Sequence, residues 1–461
     1  MTDVDAALAL AWRTSWSRLV GLLIGQYQRP DLAEDAVGDA FESAARHWPS
    51  SGVPTNPGAW LLTAARRRVL DRLRTEAVHR RKEPLMVVDD EMRAAAAAAD
   101  SLDDGAHVAD EQLRLIFSCA HPALAVDDRV ALTLRFVVGL TTAEIARLML
   151  VQDTAMAARL TRAKKRLASS GIPFAVPPAE QLDSRLDVVA PVLYLMFTSA
   201  YQPGAGPVTL RVDLGDEAIR LVRQLDLLLP ARAVLRPLLA LMLLQHSRRD
   251  ARLTPDGELI LLPDQDRTLW HAQEIAEALT LLSPPPSPGR PAAEPSSASA
   301  LSARLAGSSP GRASQPAVRR ETRDPSDGTG DPAVSALAQE YRLQALIAAE
   351  HATAATAAAT DWTAICRLYE ELEAVTGSPV VRLARAVATA EDAGPQAGLD
   401  LLVGLDDALP RHHRLPAVRA ELLTRAGDPA AAAAEYHRAL ALVTNDAERT
   451  HLTTRLASLT P

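Results

Sequence analysis

Residues 141–169 read TTAEIARLMLVQDTAMAARLTRAKKRLAS, and this stretch decides the fold. Thr141 or Thr142 can cap a helix whose apolar face is Ile145, Ala146 and Met149. The connector Leu150-Val151-Gln152 then leads to Asp153, which is placed to cap a second helix. On that helix Met156, Leu160, Ala163 and Leu167 recur at three- and four-residue spacings and make one buried stripe. Thr154, Arg159, Arg162, Lys164, Lys165 and Arg166 are left for its other faces. This is the pattern of a helix-turn-helix. Its second helix would lie in a DNA major groove, with Thr154, Ala155 and Arg159 near base edges and the later basic residues on phosphates. A surface helix with a solvated basic face has the same composition, so the stretch needs support from the rest of the chain.

A second basic island supplies some. From Trp60 to Glu83, Arg66, Arg67, Arg68, Arg72, Arg74, Arg80, Arg81 and Lys82 face only Asp71, Glu76 and Glu83. Trp60 heads this island, and an aromatic ring that can stack on unpaired bases beside arginines that hold phosphates is what binding melted DNA requires. A core tryptophan followed by solvated arginines would look alike. The net charge of −8 hides both islands, because charge averaged over 461 residues says nothing of its distribution.

The chain is too long for one hydrophobic core, and two or three domains are expected. Hydrophobic residues make up 48% and aromatics 4%, with long Ala/Leu/Arg stretches, so an all-α fold is expected. Helical spacing begins at residues 5–28, restarts at Pro30-Asp31 through His47, and breaks over the Pro/Gly/Asn cluster Pro49–Gly58 before a third helix near Ala59. Residues 1–84 form the first domain, 85–110 an acidic linker, and 111–172 the helix-turn-helix domain. A C-terminal helical domain occupies 181–282 and resumes at 334–461 after a Pro/Ser-rich insert at 283–333 that is too poor in apolar residues to fold. The last part carries a tetratricopeptide-like pattern. Ala432, Tyr436 and Ala439 fit it, Ile365/Tyr369/Leu372 and Gly398/Leu402/Leu405 fit more loosely, and Ala218/Val222/Leu225 repeat it before the insert. Chance matches in an Ala-rich helical chain would produce a similar list.

Three stretches, in order along the chain, resemble a known family. Ala33-Glu34-Asp35-Ala36-Val37-Gly38-Asp39-Ala40-Phe41 resembles the polymerase-clamp-binding helix of sigma domain 2 in the extracytoplasmic-function (ECF) sigma factors of RNA polymerase. The stretch from Asn56-Pro57-Gly58-Ala59-Trp60 through Asp71-Arg72-Leu73-Arg74 is similar to the helix of that domain that captures the −10 element, and Arg135–Leu167 to sigma domain 4, which reads the −35 element. The resemblance extends to the subgroup with a long tetratricopeptide-like extension, through Leu113–Leu124, Pro237–Leu244 and Gly257–Arg267. It implies core RNA polymerase and promoter DNA as partners. Glu34, Asp35, Asp39 and Phe41 would face polymerase; Trp60, Arg66, Arg67, Asp71, Arg72 and Arg74 would face the −10 strand. The C-terminal extension would regulate, through contact with the sigma domains or polymerase. The sequence departs from the subgroup at Thr198-Ser199-Ala200-Tyr201, where members usually carry Asn-Glu-Gly-Tyr, at Arg67, where many carry Asn, and in the insert.

Enzyme classes find no footing. No Gly-rich phosphate loop, Gly-x-Ser-x-Gly elbow or His-Glu-x-x-His pair occurs, and no cofactor is expected. Cys119 and Cys366 are too far apart in sequence to suggest a disulfide framework or a cysteine zinc site. With no secretion-type leader and no apolar stretch long enough to span a bilayer, a cytoplasmic protein is expected. A helix-turn-helix regulator acting without polymerase, and a scaffold whose basic helices are incidental, are the competing readings; dependence of DNA binding on polymerase separates them.

Overall fold

The computed structural model describes residues 3–80, 105–149, 151–201, 211–254, 260–283, 335–443 and 446–459. Most of the expected acidic linker and nearly all of the Pro/Ser-rich insert lie outside them. All regular elements among the described residues are helices, and the chain forms two compact units, residues 1–199 and 200–461.

The first unit opens with α1 (Asp3–Tyr27), whose Trp16, Leu19, Val20, Leu23 and Ile24 are buried. Pro30 in the first turn then starts α2 (Pro30–Ser51), where a missing N–H costs nothing. This helix runs through Pro49 to Ser51, past the expected break. The Gly52 N–H closes it on the Trp48 carbonyl. Asn56 caps α3 (Pro57–Arg80) by accepting the Ala59 N–H at 3.0 Å. Ion pairs fasten α3 to α2: Arg72 reaches Asp35 at 2.8 Å and Asp39 at 3.2 Å, and Arg29 joins Asp31 to Glu76.

The helix-turn-helix region comprises α4 (Gly105–Cys119), α5 (Val126–Leu132), a π-helical turn (Thr133–Val138), α6 (Thr142–Leu148) and α7 (Asp153–Ser169). Thr141, not Thr142, caps α6 in a capping box: its hydroxyl accepts the Glu144 N–H, and Glu144 accepts the Thr141 N–H at 2.8 Å. Asp153 is not the cap of α7. Gln152 holds that position without a side-chain bond, and Asp153 sits in the first turn, where its charge meets the positive helix end. Met156, Leu160, Ala163 and Leu167 are all buried, as the spacing predicts, whereas Met149 is only half-buried. The next helix, α8 (Leu182–Ser199), packs within this unit: Arg185 donates to the Phe117 carbonyl at 2.6 Å, and Phe197 is buried.

In the second unit α9 (Val212–Leu228), α10 (Leu235–His246) and α11 (Ala272–Leu282) precede the insert. After it come α12 (Ala336–Thr353), α13 (Trp362–Thr376), α14 (Pro379–Ala393), α15 (Pro395–Leu401), α16 (Arg414–Arg425), α17 (Pro429–Leu442) and α18 (Asp446–Ala457). Sequential helices pack on one another throughout this run. Gly398 lets α15 approach α14, since a Cβ there would lie 2.6 Å from the Ala386 carbonyl oxygen. Tyr436 fills the joint between α16 and α17 and donates to Glu421 at 3.0 Å.

Candidate nucleic-acid and polymerase interface

Helices α2 and α3 enclose an open groove of about 670 Å³ lined by His47, Trp60, Thr63, Arg67, Arg68 and Asp71 among others. The periodicity of α3 builds it. Leu61, Leu62, Ala65, Val69 and Leu70 go into the core, which turns Thr63, Arg67, Arg68 and Asp71 outward. Trp60 stands half-buried, its ring edge-on to Trp48 at 5.8 Å, so it is braced on one side and borders the groove on the other. A flat apolar ring beside two exposed guanidiniums can stack a base and hold its phosphates.

Not every residue of the island shares this groove. Arg66 lies on the core side with Leu62, Val69 and Leu70; burial holds its guanidinium below the usual value, with Tyr27 only partly offsetting. The i, i+4, i+7, i+8 spacing of those four positions carried that signal. Arg72 is tied to Asp35 and Asp39, which raises its pKa, and Arg74 lies 3.5 Å from Asp71. His47 and Arg68 line the groove although sequence reasoning did not single them out as site residues.

On α7, Thr154, Arg162 and Lys165 are exposed. Arg159 pairs with Asp127 at 3.0 Å and the exposed Arg166 with Asp128 at 3.5 Å, so the acidic first turn of α5 orients one residue expected at base edges and one expected on a phosphate. Lys164 goes elsewhere. It meets Glu34 of α2, and Glu34 also accepts from Arg135 Nε at 2.7 Å. Glu34 is thereby almost fully buried, and Phe41, 5% exposed, packs with Trp12 at 4.8 Å and Trp16 at 6.2 Å. Two of the four residues expected to face polymerase are therefore covered from within the chain, while Asp35 and Asp39 remain at the surface beside Arg72.

The covering is extensive. Gln112 donates to Ser17 at 2.8 Å in a buried bond, the Trp16 indole donates to the Arg135 carbonyl at 3.2 Å, and Gly21 lies against the Glu111 backbone. Gly139, at φ +82°, ends the π-helical turn; a Cβ there would fall 2.9 Å from both Trp12 and Trp16. The α2–α3 bundle and the helix-turn-helix region thus form one packed body, closed around Glu34.

Among the described residues no cluster of His, Cys, Asp or Glu could hold a metal ion, and no helix is long and apolar enough to cross a membrane.

The sigma-70 region 2 family matches residues 14–78, the sigma-70 region 4 family matches 114–167, and a family of unknown function (DUF6596) matches 185–284. An uncharacterized protein of Rhizobium meliloti (strain 1021) is 36% identical over 462 residues, covering 100% of this chain and 97% of its own. The ECF RNA polymerase sigma factor SigK of Mycobacterium sp. (strain KMS) is 33% identical over 153 residues, 31% of this chain and 72% of its own, with the same values for the RNA polymerase sigma factor SigK of Mycobacterium sp. (strain MCS). No solved structure matches the chain. An all-helical body carrying sigma regions 2 and 4 in order is a sigma-type transcription factor. The chain belongs to the ECF RNA polymerase sigma factor family, with a long C-terminal extension beyond the sigma domains.

Proposed function

We propose that this chain directs promoter-specific initiation by core RNA polymerase through two DNA surfaces: the Trp60–Arg67–Arg68 groove for the opened −10 strand, and Thr154, Arg159, Arg162, Lys165 and Arg166 of α7 for the −35 element. The groove carries the reading, because it joins a braced aromatic ring to two exposed arginines on the helix matched by the region 2 family. The phosphate contacts supply salt-dependent affinity, and the ring and early α7 residues supply choice of sequence.

The free chain holds its polymerase-facing helix against α7, so docking on polymerase requires the Glu34–Arg135–Lys164 contact to part. Asp35 and Asp39, at the surface beside Arg72, would make the first encounter, and Glu34 and Phe41 would follow. The C-terminal unit, a run of paired helices with tetratricopeptide-like joints at Gly398 and Tyr436, would gate this opening. Repeat surfaces of that kind suit a protein partner.

Footprinting of promoter DNA with and without core polymerase tests the reading. Protection of both elements only in the presence of polymerase is expected; equal protection by the chain alone would assign it to polymerase-independent regulators. Truncation after Ser199 should change the level of promoter-specific transcription, and an unchanged level would remove the gating role.

A further inference from the structure

Within the second unit, α10, α12, α13 and α14 surround a half-open cavity of about 410 Å³. Its walls are largely apolar: Leu241, Leu262, Ile347, Leu372, Val380 and Val381. The polar groups on them are Gln245, Gln344, His351, Tyr369 and Arg248, and no aspartate or glutamate lines it. Burial and the nearby Arg248 and Arg267 push His351 down to about 4, so it is uncharged at neutral pH. The one charge on the cavity wall among the described residues is then the Arg248 guanidinium.

That guanidinium is unlike its neighbours. Arg249 pairs with Glu274 at 2.8 Å, Arg252 donates to the Gln245 carbonyl at 2.9 Å, and Arg267 donates to the Ala354 carbonyl at 2.9 Å. The Arg248 guanidinium rests near the Trp270 ring, 5.8 Å from its centroid, and makes no hydrogen bond or ion pair among the described residues. Burial and the charges of Arg252 and Arg267 hold it well below the usual arginine range, with no carboxylate to offset them. A half-buried cation that other cations surround is costly, and an anion entering the cavity would relieve that cost.

We propose that this cavity binds a small organic monocarboxylate with an apolar body, its carboxylate on Arg248 and its hydrocarbon part against Ile347, Leu372 and Val380. The guanidinium fork matches two carboxylate oxygens, and a cavity of this size with few polar groups is the usual form of a small-ligand site. A bare inorganic anion would leave the apolar walls wet, and an amine would meet the wrong sign of charge. The site is independent of the DNA surfaces, and it gives the C-terminal unit a way to respond to a small molecule.

Calorimetric titration of the full chain with octanoate, 1-octanol and inorganic phosphate tests this without any transcription readout. Octanoate is expected to bind about tenfold more tightly than 1-octanol, the difference a charge-assisted hydrogen bond supplies, and phosphate is expected not to compete. Arg248→Met should remove the preference for the acid while leaving circular dichroism unchanged. Val380→Trp, at an exposed position on the cavity wall, should block both probes, and it decides the matter if Arg248→Met fails to fold. Absence of octanoate binding, equal affinity for the alcohol, phosphate binding as tight as octanoate, or octanoate binding unchanged by either variant would overturn the proposal.

Discussion

Glu34 brings two cations together from distant parts of the chain, Arg135 and Lys164, with both cations mostly covered as well. Removing the carboxylate leaves two partly buried positive charges unpaired, which costs more than the pair itself contributes. Glu34→Ala is therefore expected to lower the stability of the first unit by about 3 kcal/mol in urea denaturation, whereas Glu42→Ala, whose exposed pair with Arg46 is screened by water, should change it little. Nothing local in the sequence announces that Glu34 meets Lys164, 130 positions on. The spacing of Pro30, Glu34, Val37 and Phe41 does place Glu34 on the buried face of its helix, and an acid on such a face needs a cation from somewhere. Glu350 in the second unit is buried too, and desolvation together with Asp361 raises its pKa to about 7 from 4.5. Since the folded value is the higher, its contribution is fully present below pH 4.5 and is lost as pH rises through 7. Glu350→Gln should flatten the fall in stability across that window, by at most about 3 kcal/mol, in melting curves recorded at several pH values.

At the level of elements, the helix-turn-helix was legible because it rests on local rules: a capping threonine with glutamate three residues on, then a strict apolar stripe. Those rules fix α6 and α7 without reference to the rest of the chain. Thr141→Ala removes the acceptor for the Glu144 N–H and should cost about 1 kcal/mol, measured by chemical denaturation. Asp153→Ala should cost less than that, because Asp153 stabilises the helix end by charge and makes no cap bond. Helix α3 was legible in outline but not in the assignment of its arginines. Counting them as one island placed Arg66 with Arg67, although a helix turns about 100° per residue and sends them to opposite environments. Around residue 181 secondary structure and packing part company. The Gly171–Pro178 run does end a helix, but a break in secondary structure is not a break in packing, and Arg185 carries α8 back onto Phe117.

At the scale of the molecule, both sigma regions and their order could be read from sequence, because each has a characteristic word on its own helix. Their closure on one another could not, since it depends on surface matching between α1, α4, the π-helical turn and α7. Within the closed body each basic island is partly balanced by neighbouring acids, Asp127 and Asp128 beside α7 and Asp71 on α3. The closure predicts that activity depends on polymerase to open and align the two surfaces. The most direct test is run-off transcription with purified core polymerase and the full chain, on promoters upstream of its own gene and its neighbours. The account predicts promoter-specific transcripts that are lost in Trp60→Ala and Arg162→Ala while both variants remain folded. Transcripts that persist in both variants, or DNA binding without polymerase and no transcripts at all, would contradict it.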